Sequence, residues 1–235
     1  MMISCNICNS DNWADFAGRP GAKCATCGSL ERTRLLKLYL DKRHFSFNKK
    51  TIFHCAPEPG LYNLISSSDT LKYQAVDFNP KISNDIFVEK FDLCVDSKNL
   101  PANYFDIIIH NHVMEHIICD TTAVFYHLHR SLKNDGLHCF SLPFHPSRHY
   151  EESLRPLSEK ERAEKFGQKD HVRWFSVVDF SITIGMVFDI KPYDWYPINN
   201  FTEDELCSIN FPEKSWNRID GSTIFVCSKS DIGLS

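Results

Sequence analysis

The sequence has no long apolar run, no surplus of positive charge and no basic-then-apolar leader. No stretch approaches the uninterrupted apolar length that a membrane span needs, so no membrane partner is expected. Lys and Arg number 26 against 30 Asp and Glu, a net charge of -4. No overall basic field therefore favours nucleic acid, and no nucleic-acid partner is expected. The opening Met1-Met2-Ile3-Ser4-Cys5-Asn6-Ile7-Cys8 reads as lacking a secretory leader, which makes the cytoplasm the expected compartment. Nothing in the sequence indicates an oligomeric state.

With 235 residues, 43% of them hydrophobic, the chain suits one α/β domain and a small appendage. Four of its 10 cysteines form two C-x2-C knuckles, Cys5/Cys8 and Cys24/Cys27. Two residues between cysteines let the backbone turn both thiolates toward one ion. Two such turns supply four soft ligands in a closed tetrahedron, the chemistry of structural zinc. Redox thiols are the competing reading, but no thioredoxin-like βαβ pattern surrounds them. A short segment with little apolar area gains its stability from such a staple. The expected first unit, residues 1–40, is this ribbon and a connecting helix that Ser29 would cap. Arg32 and Arg34 on that helix read as solvated. The other six cysteines (Cys55, Cys94, Cys119, Cys139, Cys207 and Cys227) read as small core residues in a reducing compartment rather than a disulfide framework.

Over residues 41–230, β-like runs alternate with helical ones. Strands are expected at 51–55, 73–77, 86–91, 105–110 and 137–142, with late strands at 186–191 and 222–227. Helices are expected to begin near Leu61, to cover 121–132, and to cover 178–184; the charged stretch 151–165 reads as a solvated helix. Lys133-Asn134-Asp135-Gly136 reads as the turn before the fifth strand. This alternation predicts parallel βαβ units in a doubly wound sheet, with ligands beyond the carboxyl ends of the strands.

Read in order, Ile52-Phe53-His54-Cys55-Ala56-Pro57-Glu58-Pro59-Gly60, Val76-Asp77, Phe105-Asp106-Ile107-Ile108, Asn111-His112-Val113-Met114-Glu115-His116-Ile117 and Leu132-Lys133-Asn134-Asp135-Gly136 resemble the class I S-adenosylmethionine-dependent methyltransferases. The Cys-x-x-Cys-Gly-Ser-Leu-Glu-Arg and His-x-Ala-Pro-Glu runs resemble a bacterial, type 11-like subgroup with an N-terminal zinc ribbon. The resemblance implies a Rossmann-like α/β domain and S-adenosylmethionine as cofactor. It departs in the first turn, where His54 stands in an acid's place and Ala56 and Glu58 stand for glycines, leaving only Gly60. Carried over residue by residue, Asp77 would accept from the ribose hydroxyls, its alternative role being to cap the turn before Asn79-Pro80, and Phe78 would lie beside the adenine. Asp92 and Leu93 would receive the adenine amino group, and Asn111 and His112 would line the methionine portion. His54, Ala56, Glu58 and Gly60 would form the cofactor turn, with Glu58 facing the ammonium.

Methyl transfer is a displacement that needs an aligned nucleophile and, for a hydroxyl or amine, a base. His171, in Gly167-Gln168-Lys169-Asp170-His171-Val172-Arg173, is a candidate base and substrate contact; His145 and His116 are further candidate bases. Arg173 could clamp a substrate anion or make a structural ion pair. The expected activity is O-methylation of a small molecule or a sugar-containing, glycan-linked metabolite. A catalytically silent zinc scaffold is one alternative. Nucleic-acid methylation is another, although no Asn/Asp-Pro-Pro-aromatic run follows the fourth strand and no Pro-Cys pair occurs.

Overall fold

A computed structural model describes residues 3–80 and 87–233. The ribbon hairpin is β1 (Trp13–Phe16) paired antiparallel with β2 (Arg19–Cys24). Helix α1 (Glu31–Lys42) follows, and then β3 (Thr51–Cys55), α2 (Pro59–Ser66), β4 (Lys72–Asp77), the short β5 (Glu89–Lys90) and α3 (Leu93–Asp96). The second half runs β6 (Phe105–Asn111), α4 (Thr121–Arg130), β7 (Leu132–Ser141), β8 (Phe144–His145), β9 (Glu151–Glu152), α5 (Glu159–Phe166), β10 (Arg173–Ser176), α6 (Ile184–Phe188) and β11 (Phe225–Ser228).

The main sheet has the order β11-β7-β6-β3-β4-β5, parallel throughout except for antiparallel β11. Every residue of β3 and β6 is buried, as expected for strands covered on both faces. On one face Ile52, Ile107 and Ile109 pack with Leu35, Leu36 and Leu40 of α1 and Leu61 and Ile65 of α2. On the other, Phe53, Ile108 and Phe140 pack with Val124, Phe125 and Leu128 of α4. The sheet winds outward both ways from β3, so the switch point lies between β3 and β6. Cys55 is level with Val76 on one side and His110 on the other, which brings Ala56, Asp77 and Asn111 to one carboxyl edge. Among the described residues, no helix is long and apolar enough to cross a membrane.

Several sequence expectations are corrected. Residues 186–191 do not form a strand: Ile184–Phe188 is helical, and Asp189 ends it in the left-handed region at φ 49°. The expected helix at 178–184 is one 3-10 turn over Phe180–Ile182, and the helix within 151–165 starts only at Glu159. Lys133–Gly136 lies inside β7, beside a register slip opposite Phe105 and Ile107. The expected third strand is β5 alone, its Ile86 lying outside the described residues.

The cysteine reading also changes. Cys94 and Cys119 form a disulfide, with Cα atoms 5.7 Å apart. It joins α3 to the loop before α4, two places that the fold alone brings together. Cys55, Cys139 and Cys227 are buried as expected, whereas Cys207 is exposed.

Candidate cofactor edge and metal centres

In the N-terminal module the four thiols lie within 4.8 Å of one another. Cys5 Sγ is 3.6 Å from Cys27 Sγ, and Cys8 Sγ is 3.5 Å from Cys24 Sγ. Zn–S bonds near 2.3 Å in a tetrahedron give S···S edges of about 3.8 Å, so the cluster fits zinc. The hydrogen bond between Cys5 and Cys27 draws the Cys5 thiol down and pushes the Cys27 thiol up, so the pair shares a proton that a metal would displace. Ser29 does not cap α1, whose N-cap is Leu30; its hydroxyl lies 3.2 Å from both Cys5 Sγ and Cys27 Sγ.

Arg34 is not solvated. Its fully buried guanidinium donates to the carbonyls of Ile209 (2.7 Å), Ser29 (2.9 Å), Ala22 (3.1 Å) and Asn210 (3.1 Å). Arg32 is engaged as well, with Nη2 2.7 Å from Glu58 Oε1. Glu58 Oε2 accepts from Thr33 Oγ1 at 2.5 Å and from Asn111 Nδ2 at 3.3 Å. Both carboxylate oxygens of Glu58 are therefore paired within the protein, and α1 of the first module holds the residue expected to face the cofactor's ammonium. Contact continues at Gly60, where a Cβ would stand 3.0 Å from the Cys27 carbonyl oxygen and 3.2 Å from its sulfur. The knuckle rests against the start of α2, and a side chain at Gly60 would press on it.

The turn after β3 keeps the backbone shape that its missing glycine would have supplied: Ala56 has φ 48°, and its N–H donates to Val76 O. His54 is displaced from its expected role. It shares the α1/α2 face of β3 with Ile52, its Nδ1 lies 2.9 Å from Tyr73 OH, and burial pushes it down to about 3. It is a neutral packing residue rather than a cofactor contact at the edge.

Asp77 ends β4 half-buried, and its Oδ1 accepts from the Asn79 N–H at 2.7 Å, which fixes the direction of the carboxylate. Phe78 beside it is 68% exposed. Asp92 caps α3 by accepting from Cys94 N–H, and Leu93 is buried behind it. Across the edge Asn111 is buried; its Oδ1 accepts from Ser141 Oγ at 3.1 Å while its amide donates to Glu58. The edge thus gathers Ala56, Glu58, Asp77 and Asn111, with Phe78 and Asp92 immediately downstream of β4 and β5.

His112 follows in the left-handed region, φ 53°, and its Nε2 donates to Gly221 O at 2.7 Å. Burial pushes it down to about 3, so it is neutral, with its lone pair on Nδ1. Glu115, absent from the sequence-derived site, is fully buried, and burial pushes its carboxyl up to about 8. The signal that could have found it is an acid set between Val113-Met114 and Ile117, an apolar setting that an ionisable group rarely occupies without purpose.

Of the three candidate bases, the structure brings two together. The His116 and His171 rings meet edge to face at 4.8 Å, and burial followed by the His116 charge holds His171 down to about 4. His145 is engaged differently: its Nδ1 accepts from the Ser147 and Arg148 amides, and its ring packs on Trp174. Arg173 is fully buried and donates to the carbonyls of Met114 and Cys119, with Nε 3.3 Å from Glu152 Oε2. Its fork is spent on the loop after β6 and on Glu152, the structural one of the two roles that the sequence left open.

No protein-family model matches the sequence. No curated protein matches it either. Among solved structures, a methyltransferase dependent on S-adenosylmethionine from Mesorhizobium loti aligns over 83% of this chain and 96% of its own, at 14% identity and TM-score 0.51. The YcgJ protein from Bacillus subtilis aligns over 64% of this chain at 16% identity and TM-score 0.46, and this chain spans 65% of its length. A SAM-dependent methyltransferase from Archaeoglobus fulgidus aligns over 67% of both chains at 17% identity and TM-score 0.43. The sheet order, the switch point and the superposition on the Mesorhizobium loti enzyme over 83% of this chain show that it has the Rossmann-like α/β fold of class I S-adenosylmethionine-dependent methyltransferases, carrying an N-terminal four-cysteine cluster.

Proposed function

We propose that this chain transfers a methyl group from S-adenosylmethionine to an oxygen of a small molecule or a sugar-containing metabolite, acting in the cytoplasm without nucleic acid or membrane. The observation that carries the reading is the Asp77 carboxylate. It is anchored at the end of β4, level with the left-handed turn at Ala56, and an exposed phenyl ring follows it. An anchored acid accepts from two vicinal hydroxyls, and an adjacent apolar ring suits an adenine face. Asp92 and Leu93 would meet the adenine edge. Asn111, held by Ser141 and Glu58, would position the methionine portion. S-adenosylmethionine supplies an electrophilic methyl when bound; the chain's residues orient it and exclude water. His171 and the surrounding 167–173 run would contact the acceptor.

Titration calorimetry with S-adenosylmethionine and its demethylated product tests the reading. The wild type should bind both, and Asp77→Ala should weaken binding by roughly tenfold to a hundredfold, the worth of hydrogen bonds to a charged acceptor. An unchanged affinity would remove Asp77 from the ribose, and no binding by the wild type would leave a zinc-binding scaffold as the function.

A further inference from the structure

Three ligating side chains outside the cysteine cluster converge where the loop after β6 meets β10. Glu115, His116 and His171 each offer an atom, and these atoms lie within 4.8 Å of one another. From this arrangement we infer a second metal site, in which Glu115, His116 and His171 bind a divalent ion of the zinc class.

Unsatisfied atoms point to the ion. Among the described residues, neither Glu115 oxygen has a hydrogen-bond partner although both are buried, and buried Nδ1 of His171 has none either. Such groups are rare in folded proteins, and a missing ion is one standard reason for them. Neighbouring groups do not relieve them. His112 Nδ1 is 3.4 Å from Glu115 Oε1 but outside hydrogen-bonding geometry, while its Nε2 is engaged with Gly221. Arg173, the nearby cation on β10, directs its donors to Met114, Cys119 and Glu152 rather than to Glu115.

His116 has the orientation of a metal ligand. Its Nδ1 faces Asp170, 3.2 Å from the carbonyl oxygen and 3.5 Å from Oδ2, while Nε2 turns inward, 3.9 Å from Glu115 Oε1. The Asp170 carbonyl, accepting from the outer nitrogen, fixes the tautomer that leaves the inner nitrogen free to ligate. The two ligand-bearing segments are also fastened to each other. Val172 N–H donates to Glu115 O at 2.9 Å, and Arg173 grips the carbonyls on either side of Glu115 and His116. Ligands held this way need little reorganisation to bind.

Two imidazoles and one carboxylate suit zinc, cobalt, nickel or iron rather than magnesium or calcium. Three protein ligands leave coordination positions open, unlike the closed four-thiolate cluster. The His116 side chain is 36% exposed, which gives solvent a path to the ion. The open positions would take water or the oxygen of a hydroxyl-bearing acceptor. The link to an acceptor rests on the methyl-transfer reading, whereas the metal site does not.

Cobalt titration of the full chain, with the cysteine cluster already loaded with zinc, tests the site by counting bound ions and following the weak visible bands of nitrogen and oxygen ligation. The wild type should take up about one cobalt per chain beyond the ribbon zinc, in the three-ligand geometry. His116→Ala should abolish that uptake and leave the ribbon zinc in place. Asp170→Asn, at an exposed position, should weaken it by about tenfold by removing the carboxylate charge beside the outer nitrogen. Folding of each variant is followed by circular dichroism, and Asp170→Asn remains informative even if His116→Ala unfolds. Failure of a folded wild type to take up cobalt, or uptake unchanged in both variants, would overturn the site. Because the titration contains no S-adenosylmethionine, its result is independent of whether the chain binds that cofactor.

Discussion

At Ala56 the chain turns with φ 48°, a region that L side chains enter at a cost of about 1–2 kcal/mol. Glycine would remove that cost but loosen the unfolded chain by roughly 0.5–1 kcal/mol. Ala56→Gly should therefore raise stability slightly, by about 0.5–1 kcal/mol, and Ala56→Val should lower it. Urea denaturation of the two variants checks this, and a destabilised glycine variant would contradict the strain. The same residue shows how far the sequence could be read. An alanine in a glycine's place weakens the motif on paper, yet the hydrogen bond from its N–H to Val76 holds the turn. Strain of this kind, also present at His112, is tolerated where the surrounding structure overdetermines it, and it gathers at sites that bind.

Arg34 decides how α1 joins the ribbon to the rest of the fold. Four carbonyls from three separate segments converge on one planar fork, a geometry that an ammonium cannot reproduce. Arg34→Lys should cost about 3–5 kcal/mol, the penalty for breaking a buried charged network, and should expose the ribbon to proteolysis. Thermal melting and limited digestion read the two effects; a variant with wild-type melting and digestion would show that the fork is dispensable.

The strands β3 and β6 were legible because their apolar runs are uninterrupted, and the knuckles because two C-x2-C pairs have few uses. Arg34 was not, since a charged run at 31–34 looks solvated until the carbonyls of Ile209 and Asn210 are placed beside it. Residues 186–191 misled for the opposite reason. Their apolar content reads as a strand, but the chain closes into a helical turn with Val187 and Phe188 in the core beside Phe125. Nor did cysteine spacing point to the Cys94–Cys119 pair, which depends on the approach of α3 to a loop 25 positions away. Of the candidate site, Asp77 and Asn111 stand at the edge where the resemblance put them. His54 does not, because its ring is buried on the α1/α2 face of the sheet against Tyr73 OH.

Across the whole molecule, burial keeps His54 and His110 down to about 3 and His138 well below its ordinary value. Unfolded, each takes a proton near pH 6.5; folded, each refuses it until far lower pH. The unfolded chain therefore binds more protons, and stability is complete above about pH 6.5 and declines as pH falls from there toward 3. At pH 5.5 each of these histidines costs roughly 1.4 kcal/mol. Denaturation midpoints compared between pH 7.5 and 5.5 should show this loss. A His54→Gln variant should show one proton less in the slope, whatever the cysteine cluster does on acidification. An identical slope in the variant would mean that His54 is not buried neutral.

The span between Arg34 and its partners at Ile209 and Asn210 covers 175 and 176 positions. During synthesis the cysteine hairpin leaves the ribosome long before those two carbonyls exist. Until they emerge, the arginine has only half of its acceptors, and the hairpin cannot seat itself. Docking of the hairpin thus waits for residues 209 and 210, and until they arrive water solvates the guanidinium that the folded chain encloses.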